Sequence, residues 1–170
     1  MMTRCILLIS LLALSTFPCL AQTGSTRQTT LPARAEQQAT HVVRLPSNIR
    51  WTPLFPGSEL AVVSGDPDKA GAPFVIRIKN QDGLKVAPHW HPGDEHITVI
   101  AGTFVVGMGS TFDPATGQEL TVGSYMLVPK EMPHFAWAKG EVIIQVHGVG
   151  PFQIIWVNPA DDPTKKSSSR

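Results

Sequence analysis

One stretch, GLKVAPHWHPGDEHITVIAG at residues 83–102, constrains the fold of this chain more than any other. His89 and His91 are two residues apart, so both side chains point to the same side of an extended strand. The PGD sequence at 92–94 cannot continue a strand smoothly and predicts a turn. The strand that follows carries Glu95 back towards the two imidazoles. Two neutral nitrogens and one anionic oxygen suit a divalent transition metal, so the stretch predicts a strand-turn-strand unit that binds a metal.

A second stretch, PKEMPH at residues 129–134, offers a further metal ligand. The unit above supplies three donors, and a metal site of this kind needs a fourth from elsewhere in the chain. His134 is the best candidate for it.

Together the two stretches resemble the motifs of the cupin superfamily. The first motif, G-x5-H-x-H-x3-E-x6-G, is complete, and the second, G-x5-P-x-G-x2-H-x3-N, is partial. In the second motif Glu131 replaces a glycine and Ala138 replaces an asparagine. Glu131 either stabilises its turn or reaches the mouth of the pocket, and we favour the turn, because the position normally needs glycine for its backbone conformation. The matching residues are Gly83, His89, His91, Glu95, Gly102, Gly123, Pro129 and His134.

The resemblance implies an all-β fold, a single double-stranded β-helix (jelly-roll) barrel. It also implies that His89, His91, Glu95 and His134 bind one divalent transition metal ion. Iron, manganese, nickel, copper and zinc are all compatible with these ligands, because imidazole suits several metals.

The pattern of strands agrees with such a barrel. Glycine and proline punctuate the chain about every 8–12 residues from Leu45 onward, and the runs between them are rich in Val, Ile and Phe, as in a sandwich or small barrel. Alternation places Ala136 and Ala138 inward with His134. For the strand at 142–147, the face with Ile143, Gln145 and His147 carries the polar groups and is the one predicted to line the pocket. An ordinary surface role of His147 is the alternative. The predicted strands are 50–55, 59–64, 74–79, 84–89, 95–101, 103–108, 119–121, 125–128, 134–138, 142–147 and 153–157.

The two ends of the chain differ from this domain. Residues 1–21 predict a secretory signal peptide, with basic Arg4, an apolar run at 6–14 and a cleavage site at 19–21. The run is shorter than the roughly 20 residues of a spanning helix. We therefore expect a periplasmic or secreted protein without a stable membrane span after cleavage. Residues 22–45 predict a flexible leader, 46–158 the barrel and 159–170 a flexible tail.

Cleavage of the signal peptide would also remove several kinds of chemistry. Both cysteines, Cys5 and Cys19, lie within it, so disulfides and cysteine nucleophiles are excluded from the mature chain. Loss of Arg4 leaves 13 of the 14 basic residues against 13 acidic ones. A net charge near zero argues against a nucleic acid or an anionic membrane as partner.

The sequence is compatible with three functions. The sharpest is a metal-dependent enzyme, a quercetin-dioxygenase-like oxygenase acting on a small oxygen-rich organic compound, in which Glu95 serves as a ligand and also as a catalytic base. The second is a periplasmic cupin that binds a metal or small ligand without turnover, and the third is a metal-dependent isomerase. Exposed sheet edges need cover, and many cupins dimerise through them, so we expect a homodimer.

Overall fold

The computed structural model describes residues 41–166. The predicted signal peptide and nearly all of the leader lie outside this part of the chain. No helix within it is long and apolar enough to cross a membrane. The strands are β1 (Thr52–Phe55), β2 (Ser58–Gly65), β3 (Pro73–Asn80), β4 (Lys85–Trp90), β5 (Glu95–Met108), β6 (Gln118–Leu120), β7 (Tyr125–Val128), β8 (His134–Val149) and β9 (Ile155–Trp156).

The two longest strands, β5 and β8, pair with each other along most of their length and turn a corner together. The register of the pair shifts on either side of Ala101. Gly102 lies at this corner with a φ of 74°, a conformation that residues with a Cβ rarely adopt. A Cβ at this position would also overlap with the backbone carbonyl oxygen of Glu141. The backbone therefore requires glycine at the corner.

The corner divides one antiparallel sheet into two layers. The first layer has the order β1-β2-β3-β8-β5-β7 and uses the C-terminal half of β8 and the N-terminal half of β5. The second layer has the order β9-β4-β8-β5-β6 and uses the other half of each long strand. Apolar residues of both layers form one buried core, among them Ile76, Val86, Phe104, Ala136 and Val146. This is the jelly-roll barrel that the resemblance implies.

The predicted number of strands is wrong. Strands 95–101 and 103–108 form the single strand β5, and strands 134–138 and 142–147 form the single strand β8. Gly102 and Gly140 have positive φ values but do not end these strands, because both strands bend at the same place and the ladder resumes. Short helical turns were not predicted. They are Pro46–Asn48, Pro114–Thr116, Pro159–Asp161 and Pro163–Lys166. The last two fall in the predicted tail, whose flexibility stays a prediction.

Candidate metal centre

Four side chains converge inside the barrel: His89, His91, Glu95 and His134, here called the four-residue cluster. His89 lies near the end of β4 and His91 directly after it, while Glu95 and His134 begin β5 and β8. His89 pairs with His134 across the two strands. All four residues are buried, with exposures between 3% and 5%. The fold therefore brings the four predicted ligands into one place.

The potential donor atoms lie close together. The three histidines each offer a nitrogen within 4.8 Å of the others. Glu95 Oε2 lies 3.3 Å from His91 Nε2 and 3.5 Å from His134 Nε2. The three imidazoles at such spacings could hold a single transition metal ion, and the Glu95 carboxylate lies beside two of them.

Hydrogen bonds to the backbone orient the three imidazole rings. The Nδ1 atoms of His89, His91 and His134 lie 2.8, 2.7 and 3.1 Å from the carbonyl oxygens of Ala87, Gln153 and Met132. A carbonyl oxygen can only accept, so each Nδ1 carries the proton and donates. The neutral tautomer then leaves the lone pair on Nε2, which is the usual arrangement of a metal-binding histidine.

Two buried atoms of the cluster lack a hydrogen-bond partner. They are His91 Nε2 and Glu95 Oε2. Leaving a buried polar atom unpaired costs free energy, so such atoms in a folded protein require an explanation. A cation bound by the lone pair of Nε2 and by the carboxylate would satisfy both. The residues present therefore fit a metal ion.

Burial and mutual charge interactions shift the pKa values of the cluster in different directions. Burial lowers the pKa of His89 from 6.5 to about 3, and the neighbouring His134 and His91 add to the effect. Burial alone would raise the pKa of Glu95, but His91 and His134 hold it well below its usual range. Burial opposes the charged form of His91, yet the Glu95 carboxylate outweighs it and raises the His91 pKa. The charge interaction between His91 and Glu95 thus favours the protonated imidazole and the ionised carboxylate.

The cluster faces a small cavity of about 40 Å³, here called the inner cavity. Its remaining walls are apolar except for one amide, that of Asn80. Phe152 stacks on the His91 ring at 5.1 Å between centroids, and Trp156 lies 5.5 Å from the His89 ring. The other lining residues are Leu54, Phe55, Ile78, Val86, Ile97, Phe104, Ala136, Ile144 and Ile154.

A larger pocket of about 270 Å³, here called the outer pocket, adjoins the inner cavity. Four apolar residues, Leu54, Phe55, Phe152 and Ile154, line both spaces and form the boundary between them. Trp156, Asp162 and Thr164 complete the outer pocket. A ligand larger than the inner cavity could therefore extend into the outer pocket.

The prediction that Gln145 and His147 line the pocket is wrong. The opposite face of β8, with Val142, Ile144 and Val146, belongs to the core. Gln145 accepts a hydrogen bond from Arg77 Nε at 3.2 Å on the outer surface. His147 is exposed and stacks on the paired His96 at 4.8 Å. The apolar side chains of β8 occupy the inner face because burying them is favourable, whereas the polar face can remain in water.

Glu131 lies in the turn and not at the pocket mouth, and a stabilising role of its side chain in that turn stays a prediction. Its side chain is exposed and does not line the inner cavity. Its φ is 60°, in the left-handed region where glycine is usual. Its backbone N–H donates to the carbonyl oxygen of His91 at 2.8 Å. The turn thus fixes the backbone of one member of the cluster.

The sequence did not identify Asn80 and Phe152 as residues of the inner cavity, or Trp156 as a residue of the outer pocket. Asn80 could have been found, because it alternates with Ile78 and Ile76 along β3 and so shares their inward face. Phe152 lies outside the strands, and Trp156 lies in a strand of only two residues, so no periodicity indicates their positions.

Comparisons with known proteins agree with the fold. The model of the ChrR cupin-like domain family matches residues 39–153. No curated protein sequence matches. The polyketide cyclase RemF from Streptomyces resistomycificus has a TM-score of 0.58 and 15% identity, over 75% of this chain and 93% of RemF. KdgF from Halomonas sp. has a TM-score of 0.53 and 21% identity, over 65% of this chain and 96% of KdgF.

A third similar structure is salicylate 1,2-dioxygenase from Pseudoaminobacter salicylatoxidans. Its TM-score is 0.50 and its identity 16%, over 60% of this chain but only 30% of the dioxygenase chain. Identities this low show a shared fold and no more. The family match spans well over half of this chain, and the motifs and the barrel agree with it. The chain therefore belongs to the cupin superfamily, with a ChrR cupin-like domain.

Proposed function

We propose that this cupin is a metal-dependent enzyme, a quercetin-dioxygenase-like oxygenase acting on a small oxygen-rich organic compound. One observation carries the proposal: three oriented imidazoles and a carboxylate with an unpaired oxygen face a small cavity whose remaining walls are largely apolar. We further propose that the enzyme is periplasmic or secreted, as the pattern of residues 1–21 indicates.

The metal would be held by His89 Nε2, His91 Nε2, His134 Nε2 and Glu95 Oε2. One divalent ion with three neutral imidazoles and one carboxylate has a formal charge of roughly +1. A redox-active metal with open positions could bring an organic oxygen and dioxygen together, whereas zinc would polarise a carbonyl. The depressed pKa of Glu95 keeps the carboxylate anionic and ready to bind a cation. Its role as a catalytic base stays a prediction.

The protein around the cluster supports this chemistry by excluding water. Phe152 covers the His91 ring and Trp156 packs against the His89 ring. Charge interactions are stronger in such a dry site than in bulk solvent. The apolar walls also leave few groups that could divert a reactive compound.

The size of the cavity limits the substrate. A space of about 40 Å³ is far below the roughly 300 Å³ of a pocket that encloses a drug-sized ligand. A compound as large as a flavonoid would need the outer pocket as well. The proposal therefore favours a substrate whose oxygen-bearing end is small enough for the inner cavity.

A second function is favoured by the composition of the walls of the inner cavity. Within residues 41–166, no titratable side chain other than the four of the cluster lines the inner cavity. Apart from Glu95, no candidate acid or base is therefore available for an isomerase. A cupin that binds a metal and a small ligand without turnover needs no acid or base, so it fits this observation as well as the oxygenase does. Detection of a product would exclude it.

We also propose a homodimer that buries the outer face of the first layer. Exposed apolar side chains occupy that face, including Tyr125 at 57%, Leu127 at 45% and Ile100 at 37%. Because the mature chain is expected to carry a net charge near zero, we propose that its ligand is a small molecule and that it binds no nucleic acid. Light scattering of the purified protein measures the oligomeric state.

Elemental analysis of the purified protein tests the function first. We expect one equivalent of a transition metal in the wild type and little in the double variant His91→Ala/His134→Ala. The matched control is His96→Ala/His147→Ala, which removes two histidines from the outer surface and should retain the metal. Dioxygen uptake with a panel of small enolic and phenolic compounds then tests the oxygenase. Stoichiometric metal without any uptake would contradict the oxygenase and support the binding function.

A further inference from the structure

One polar residue interrupts the apolar walls of the inner cavity. Asn80 ends β3, is 3% exposed and lines the same cavity as the four-residue cluster. Its neighbours on the same face of the strand, Ile76 and Ile78, are apolar and buried. An amide in such surroundings is unfavourable unless its hydrogen-bonding groups are paired. An aliphatic side chain would fill the position at lower cost if packing were its only role.

Only part of the Asn80 amide is paired. The hydroxyl of Ser58, itself 2% exposed, donates to Asn80 Oδ1 at 2.7 Å. No residue in the described range 41–166 accepts a hydrogen bond from Asn80 Nδ2. Because Ser58 donates to Oδ1, the two N–H groups of the amide are the ones left available to a ligand.

We propose that Asn80 is a ligand-binding residue whose Nδ2 donates a hydrogen bond to an oxygen of the bound compound. This inference rests on the proposed function, because a second oxygen of the same compound would face the metal held by the four-residue cluster. The ligand class is a small organic acid or carbonyl compound with at least two oxygens, of which a 2-oxo acid is the simplest example. Its carbon atoms contact the apolar walls and the boundary with the outer pocket.

A donor in this position distinguishes compounds by chemistry more than by size. A ligand that places an acceptor oxygen against Asn80 completes the hydrogen bonding of the amide. A ligand with a methylene group in that place leaves the N–H groups unpaired in a dry cavity, which selects against it. The preference for an oxygen over a methylene group therefore measures the role of Asn80.

The double variant Ser58→Ala/Asn80→Leu removes the donor without leaving a new unpaired group. Replacing both partners of a buried hydrogen bond by apolar groups of similar shape is nearly neutral for stability. The control Ile78→Val changes another residue of the same strand and the same cavity without altering any polar group. The probes are pyruvate and methacrylate, in which a methylene group replaces the keto oxygen of pyruvate.

Titration of each Co²⁺-loaded protein, followed by the visible absorption of the metal and by calorimetry, gives the two dissociation constants. We expect the double variant to bind pyruvate roughly 2- to 12-fold more weakly than the wild type, the equivalent of one net hydrogen bond. The wild-type preference for pyruvate over methacrylate should shrink, while Ile78→Val should retain it. The Co²⁺ content of all three proteins should be equal.

The outcomes separate this inference from the function on which it rests. Full Co²⁺ occupancy with the same pyruvate affinity in wild type and double variant would overturn the inference alone, and Asn80 would serve only as the partner of Ser58. Full occupancy without pyruvate binding to the wild type would overturn the ligand class and the inference with it. A wild type that binds no Co²⁺ would overturn the proposed metal site, and the inference would fall with it.

Discussion

Replacing the corner glycine, Gly102, by alanine should destabilise the protein more than the same replacement at Gly83. Both glycines have a φ of 74°, so both variants force a Cβ into the left-handed region, at a cost of about 1–2 kcal/mol. At Gly83 no atom lies within 4 Å of the added Cβ. At Gly102 the Cβ overlaps with the Glu141 carbonyl oxygen and lies 3.0 Å from Val142 Cγ2. Overpacking of this kind typically adds about 1–3 kcal/mol.

Urea unfolding of the two variants, without metal, measures the difference. We expect a loss of about 1–2 kcal/mol for Gly83→Ala and about 2–5 kcal/mol for Gly102→Ala, with unchanged dependence on urea concentration. Because the backbone conformations match, the difference isolates the steric overlap at the corner. Equal losses would refute the reasoning and would mean that β5 and β8 can separate at the corner without cost.

Three further predictions concern the cluster and its turn. Glu95→Gln should lower metal affinity at least about tenfold, measured by competition with a chelator, because the amide removes the only anion of the cluster; Asp94→Asn, an exposed neighbour, should not. Metal affinity should fall as the pH is lowered from about 8 to 6. The pKa of His91 is raised above the value of about 6.5 of a free imidazole, so protons compete with the metal for His91 at a higher pH than they would for a free imidazole. Calorimetry checks this, and a pH-independent affinity would contradict it. Glu131→Gly should stabilise the protein by about 1 kcal/mol in urea unfolding, because its φ of 60° suits glycine, whereas Glu131→Ala should change little.

The convergence of His89, His91 and Glu95 could be predicted because it depends on local geometry, whereas His134 joins them through the pairing of β4 with β8. Alternation along β4 places His89 and His91 on one side, and the turn at 92–94 returns Glu95 to them. The same rule failed for β8, where it gives two faces but not which of them is buried. The hydrogen bond between Gln145 and Arg77 shows how a polar face can be satisfied outside the barrel.

Other features depend on contacts between distant parts of the chain. The continuity of β5 through Gly102 requires a matching bend in β8, which no local pattern reveals. The walls of the inner cavity include Leu54 and Phe152, which lie near opposite ends of the domain's sequence. Its volume, and with it the size limit on the ligand, therefore became visible only in the structure.

The carbonyl oxygens that hold the three imidazoles come from three separate segments of the chain. Ala87 lies within β4, and Met132 lies in the turn that precedes β8. Gln153, the partner of His91, belongs to a segment whose only strand, β9, has two residues. Rotation of the His91 ring is therefore coupled to the least extensively paired strand of the barrel. A displacement of residues 152–156 would therefore break the hydrogen bond that orients the His91 ring and leave that ring free to rotate.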